Sequence, residues 1–125
     1  MNWAFLWVGL GGALGSMARY GISQAWPTVP GRWPVATLTA NLLGCLMIGV
    51  LWGLQQKIEW MTPDVRAFLI VGILGGFTTF SAFSVESMQM WREGNALWAL
   101  AYVAVSVGAG LMLTLLGAKA AQWLG

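Results

Sequence analysis

Gly75 to Phe83 reads GGFTTFSAF: a glycine pair, three hydroxyls and three phenylalanines inside a long apolar run. A plain membrane anchor needs none of these. Paired glycines followed by β-branched residues weaken a helix, and non-helical backbone at membrane depth survives only where protein or water covers it. A break is therefore expected here. Counted at about 1.5 Å per residue from Ala67, Gly75 and Thr78 lie near the middle of a hydrocarbon core about 30 Å thick. Broken membrane helices turn freed carbonyls towards cations and their N-termini towards anions, so backbone carbonyls at Gly75 and Thr78 are candidates to hold a cation.

Phe80 and Phe83, three residues apart, are expected to present their rings on one helix face. By the same arithmetic Asn41 lies roughly 9 Å inside the preceding span, at about the depth of those rings. Tyr102, Ser106, Gly110 and Thr114 recur every four residues and form a further stripe; all but the glycine carry a hydroxyl. Ser81 and Ser84 add another pair. Cation paths and proton relays commonly use Asp, Glu or His, and no carboxylate sits mid-span here. Amide and hydroxyl hydrogens donate, and the edge of a phenyl ring is its positive part. The combination suits an anion. Taken singly, the same residues also suit helix-helix contacts, where Ser, Thr and Gly are enriched; Gly11, Gly15 and Gly108 are expected to permit close packing. Arg19 and Glu86 fall in the same third of their spans, either as an ion pair or as the lining of a vestibule.

The surrounding chain has 125 residues, 58% hydrophobic and 8% charged, against roughly 25% charged in a soluble domain. Its mean hydropathy is +0.72. The net charge of +2 comes from scattered residues, whereas nucleic-acid binding calls for a clustered basic face. With no histidine and one cysteine, disulfide frameworks, zinc sites and histidine catalysis are excluded. Cys45 reads as a small packing residue in an apolar helix. The N-terminal MNWAFLWVGLGG lacks a basic leader region and runs apolar too long for a signal peptide, so it reads as a retained span.

Four stretches reach the length of about 20 residues that a crossing helix needs: about 3–25, 35–54, 67–90 and 96–123. The expected fold class is an all-α integral membrane protein, one four-helix domain over residues 1–125 with its third helix broken near the midplane. WPTVPGRWP should stop a helix and turn the chain, and Thr62-Pro63-Asp64 reads as a helix start. Nearly all nine tryptophans fall at span ends, as an interfacial aromatic belt. With four spans, Lys57, Arg66 and Lys119 lie on one side and Arg19, Arg32 and Arg92 on the other. Orientation normally follows an excess of Lys and Arg on the cytoplasmic side. The even split predicts insertion in both orientations and pairing with an inverted copy, whose two-fold axis lies in the membrane plane. Only midplane residues meet their own copies there, so carbonyls from two subunits would enclose one cation.

GGALGSMARY (Gly11–Tyr20), the Asn of TLTANLLG (Thr37–Gly44) and GGFTTFSAF together resemble the signatures of the Fluc (CrcB) family of fluoride channels, across all four stretches. The resemblance implies an antiparallel dual-topology homodimer in the bacterial inner membrane, with two pores for passive electrogenic fluoride export that relieves toxicity. It also implies a structural sodium ion at the dimer centre, held by backbone carbonyls of Gly75 and Thr78. Phe80 and Phe83 would be the anion-facing rings, Asn41 the pore amide, and Tyr102, Ser106 and Thr114, with Ser81, the polar track. Ala82 stands where the family's motif commonly has a hydroxyl, Ala36 where it has a glycine before Thr37, and Gly110 interrupts the hydroxyl stripe. Two other readings compete. A proton-coupled exporter of the small multidrug resistance type needs a carboxylate in its first span, and Glu86 in the third is the only acidic candidate. A non-transporting scaffold would use its polar residues only as glue.

Overall fold

The computed structural model describes residues 2–55 and 57–124; Met1, Gln56 and Gly125 lie outside the described residues. Those described form an all-helical chain. Helix α1 covers Ala4–Ala25 and α2 covers Val35–Leu54. A third helical run, α3 (63–77), combines one α turn, Pro63–Arg66, a π-helical stretch, Ala67–Leu74, and a last turn, Gly75–Phe77. After two extended residues it resumes as α4, Phe80–Arg92, and α5 covers Ala96–Leu124.

Among the described residues, three segments are long and apolar enough to cross a bilayer: Val35–Leu54, the interrupted Pro63–Arg92 and Ala96–Leu124. At 22 residues, α1 has the length, about 33 Å, but Ser16, Arg19, Ser23, Gln24 and its glycines dilute its hydropathy. The expected span boundaries agree to within two residues except for the third. That one begins at Pro63, where the Thr62 side chain accepts from Val65 N at 3.3 Å and Pro63 fills the first turn. Between α1 and α2, Arg32 N donates to Val29 O at 3.1 Å across Pro30-Gly31, with Gly31 at φ +82°. Pro followed by a glycine at positive φ is the requirement of a type II turn. Between α4 and α5, Gly94 at φ +86° and the bond from Asn95 N to Met90 O, 3.0 Å, close α4 in a Schellman motif. That is why three residues suffice to reverse the chain.

The helices pair through backbone approach rather than large side chains. On α1, a Cβ at Gly11 would collide with Phe68 O, and one at Gly15 with Ile73 O. The reverse holds at Gly76, where a Cβ would meet Gly12 O at 2.5 Å. α2 and α5 meet in the same way: a Cβ at Gly49 would strike Thr114 O, and one at Gly117 would lie 2.5 Å from Leu46 O. Lipid chains are as apolar as leucine, so helices associate by packing and interhelical hydrogen bonds instead of by hydrophobic exclusion. Small residues are what allow that approach. Gly108 does not share this role; a Cβ there has nothing within 4 Å.

One buried cluster joins Phe83, Met90, Ala99 and Tyr102, flanked by Trp33, Leu38 and Val103; apart from it the buried apolar side chains among the described residues are Leu74, Pro34 and the small Ala36, Ala40, Ala118 and Ala121. Elsewhere large apolar side chains face outwards, among them Phe5 at 80%, Phe80 at 79% and Leu97 at 84% exposed. The accessible surface is 8101 Å², against roughly 6,500 Å² for a compact chain of this mass. That excess is apolar surface that lipid or protein must cover. The glycine contacts make a paired expectation. Gly15→Ala, forcing the backbone at Ile73 aside, should destabilise the folded chain by about 1–3 kcal/mol, while Gly108→Ala should be neutral. Thermal unfolding in detergent measures both; equal melting temperatures would mean that the α1–α3 contact adjusts freely.

Candidate functional site

The break lies at Thr78 (φ −87°, ψ 158°) and Thr79 (φ −149°, ψ 123°), both extended. The glycine pair itself stays helical, so the interruption comes three residues later than Gly75. Its backbone is satisfied from three directions. Thr78 N donates to Leu74 O at 3.0 Å, and the Thr78 hydroxyl to the same oxygen at 2.9 Å. The Arg19 guanidinium Nε donates to Gly76 O at 3.2 Å, and the Ser16 hydroxyl reaches the same carbonyl at 3.5 Å. Asn41 does the rest: its Nδ2 donates to Thr79 O at 3.0 Å, and its Oδ1 accepts from Thr79 N at 2.8 Å. One side-chain amide thus pairs with the N–H and C=O of one residue, as a neighbouring strand would. α4 then restarts with the Thr79 hydroxyl accepting from Ala82 N at 3.2 Å, an N-cap. Ala82 thus contributes to the site through its N–H.

No hydrogen bond among the described residues engages the carbonyls of Gly75 and Thr78. The helical partner of Gly75 O would be Thr79 N, which Asn41 takes. The partner of Thr78 O would be Ala82 N, which the Thr79 hydroxyl takes. The two carbonyls singled out in the sequence are therefore among those that the break leaves without a hydrogen bond.

A half-open groove of about 470 Å³ runs beside the break. Asn41, Gly75, Thr78, Phe80, Phe83 and Ser106 all line it, with Cys45 and aliphatic side chains completing the wall. Its described lining holds no Asp, Glu, Lys or Arg. The Tyr102 side chain is fully buried, and its hydroxyl has no partner among the described residues; the Ser106 hydroxyl is likewise buried without one there. Buried hydroxyls are nearly always hydrogen-bonded. Two adjacent turns of α5 thus hold donors that nothing among the described residues uses.

The remaining expected residues divide. Phe80 and Phe83 have ring centroids 5.6 Å apart but unlike surroundings: Phe83 is 9% exposed and stacks against Tyr102 at 5.4 Å, whereas Phe80 is 79% exposed. Thr114 leaves the hydroxyl stripe, because its Oγ1 is shared between Cys45 O and Gly110 O, each at 3.0 Å. It joins α2 to α5 and does not reach the groove. Ser81 lies 3.4 Å from the Thr79 hydroxyl on an exposed surface. Arg19 and Glu86 do not meet: Arg19 serves Gly76, and Glu86 Oε2 accepts from the Thr37 hydroxyl at 3.0 Å. Sequence reasoning missed Thr37 and Ser16 as polar partners; each is one helical turn from a residue it did single out, and only the helix crossing brings it within reach.

If Asn41 holds the break, Asn41→Ala should leave Thr79 N–H unpaired and speed its hydrogen exchange by roughly fivefold to tenfold, the equivalent of one net hydrogen bond. Asn41→Asp keeps the acceptor and should fall between. An unchanged Thr79 exchange rate in Asn41→Ala would place the support elsewhere.

A family model described as "CrcB-like protein, Camphor Resistance (CrcB)" matches residues 6–118. Curated relatives named "Fluoride-specific ion channel FluC" include that of Methylobacillus flagellatus, 46% identical over 112 residues, 88% of each chain. That of Saccharophagus degradans is 44% identical over 104 residues, 82% of this chain and 78% of its own. That of Salinibacter ruber is 44% identical over 124 residues, 95% of this chain and 90% of its own. These relatives are named as channels, not as enzymes, and the apolar crossing segments make this chain a multi-pass membrane protein. With the family match running through nearly all of its length, the chain belongs to the CrcB family.

Proposed function

We propose that the protein is a fluoride-selective channel that lets fluoride leave the cell passively and electrogenically, relieving its toxicity. The observation that carries this reading is the groove: an amide, two aromatic rings and an unpartnered hydroxyl converge on it without a carboxylate. Fluoride is small and strongly hydrated, so a narrow path must replace its water with donors already in place. Tyr102 and Ser106 hydroxyls are free to donate. Asn41 gives one amide hydrogen to Thr79 and keeps a second. The edges of Phe80 and Phe83 add weaker positive potential. Weak sites in series suit conduction, since an ion held tightly does not leave. Fluoride as the ion rests on the relatives' names.

A half-open groove bordered by a largely exposed Phe80 cannot by itself separate an ion from lipid. A second, inverted copy is the reading that completes it, giving an antiparallel dual-topology homodimer with all four helices, α1 included, crossing the bacterial inner membrane and two pores per dimer. The even division of Lys and Arg supports it, as does the exposed apolar surface. The free carbonyls of Gly75 and Thr78 suit a hard monovalent cation, and they would hold a structural sodium ion at the centre; sodium there would neutralise converging carbonyl dipoles. The proton-coupled exporter is not favoured, because the groove lacks a carboxylate and Glu86 is engaged by Thr37.

Fluoride and chloride efflux from liposomes carrying the purified protein tests the function. Fast fluoride loss without chloride loss is expected; equal rates would sink the selectivity. Phe80→Ile is the cleaner ring variant, since an exposed ring contributes little packing within the chain. Fluoride flux should fall at least about tenfold, or 1.4 kcal/mol, with the melting temperature unchanged. Phe83→Ile should lower both, having lost its contact with Tyr102. Parent-like flux in Phe80→Ile would remove that ring from the path.

Orientation gives a separate expectation. Two or three lysines added near the C-terminus should bias insertion and impair efflux when that chain is expressed alone. Accessibility labelling that finds a single fixed orientation before and after, with unchanged efflux, would count against the inverted pair.

A further inference from the structure

We propose that Trp33 is a positioning residue for the pore, acting on Phe83 through Tyr102; the functional part of this rests on the channel reading above. Eight of the tryptophans are at least 40% exposed at span ends, as an interfacial belt requires. Trp33 departs from that pattern. It stands in the connection before α2, just ahead of the fully buried Pro34, and packs against the core. Its indole Nε1 donates to Trp98 O at 3.2 Å, tying the connection to the first turn of α5. Its ring lies 4.8 Å from that of Trp98 and 6.0 Å from that of Tyr102. Tyr102 in turn lies 5.4 Å from Phe83, and Phe83 lies 5.6 Å from Phe80. Rings therefore continue without interruption from the end of the bundle to the groove.

What gives this chain of rings its consequence is the Tyr102 hydroxyl. A buried tyrosine is ordinarily oriented by the hydrogen bond of its OH, and this one has no partner among the described residues. Its orientation is left to the surfaces on either side. Phe83 is one and Trp33 the other. Removing Trp33 frees Tyr102 to tilt away from Phe83, so Phe83, which lines the groove, loses the surface that holds its ring in place. Packing is what does the orienting here.

The test uses full-length protein carrying 4-fluorophenylalanine at position 83, with fluorine NMR and liposome efflux read on the same samples. Trp33→Leu should move the Phe83 resonance and lower fluoride flux by roughly threefold to tenfold, the worth of one aromatic pair. Trp33→Phe, which keeps a ring but not the indole donor, should retain most of the parent flux. Trp123→Leu, removing a tryptophan that is 93% exposed, should change neither reading. If Trp33→Leu does not assemble, Trp33→Met, with its apolar bulk, carries the same two expectations. An assembled leucine or methionine variant with the parent resonance and parent flux overturns the proposal. So does a flux loss with the resonance unmoved, which would mean that Trp33 acts without Phe83. Should the parent itself not pass fluoride, the channel reading fails, and the resonance still decides whether Trp33 positions Phe83.

Discussion

Two extended residues in the middle of a membrane span expose peptide groups that lipid cannot satisfy, and each unsatisfied group there costs several kcal/mol. The architecture follows from meeting that demand at Thr78 and Thr79. Asn41 supplies both a donor and an acceptor to the backbone of Thr79, so α2 must pass within hydrogen-bonding distance of the break. Gly44, one turn further along α2, makes room for it: a Cβ there would collide with the Thr78 side-chain methyl. On the opposite side Arg19 and Ser16 close Gly76 O, which requires α1 to lie against α3. The glycines at 11, 15 and 76 allow that approach. Polar satisfaction and small-residue packing are thus one problem, because a hydrogen bond to the broken backbone forms only if the helices come close.

The same arrangement explains why carbonyls remain free where they do. A helix that simply continued would have occupied Gly75 O and Thr78 O with the amides four residues on. Asn41 and the Thr79 hydroxyl take those amides instead, and the carbonyls are released as a pair. Tyr102 and Ser106 are donors without acceptors among the described residues. The break therefore leaves backbone acceptors free, and the groove beside it joins Gly75 and Thr78 to the donors Asn41 and Ser106.

Much of the fold was legible in the residues. Apolar length marks the spans; the proline in Thr62-Pro63-Asp64 and the prolines and Gly31 of the first connection mark their ends. The break itself was expected within the run of glycines and β-branched residues from Gly75 to Thr79. Of these the glycine pair stays helical and the two threonines are extended; Gly76 serves contact with α1 instead. The break falls where Asn41 and the Thr79 N-cap offer the backbone an alternative, a tertiary matter. Thr114 shows the reverse. Its spacing fits the hydroxyl stripe, but a hydroxyl facing a neighbouring backbone donates to it first. Spacing along one helix cannot tell which neighbour that face will meet.

What the sequence by itself determined was the solvent and the chemistry: too few charges to cover a water-exposed surface, no histidine, a single cysteine, and amide, hydroxyl and ring groups gathered at one depth without a carboxylate. Those properties belong to composition and to the 1.5 Å rise of a helix, and they hold however the helices are arranged. Only the tertiary structure decided which of these groups are consumed and which stay free. Asn41 is half engaged by Thr79, Thr114 is fully engaged by Cys45 and Gly110, and Tyr102 and Ser106 are left open. The reason is that a donor's availability depends on what stands within about 3 Å of it, a distance set by helix crossings and glycine contacts rather than by position along the chain.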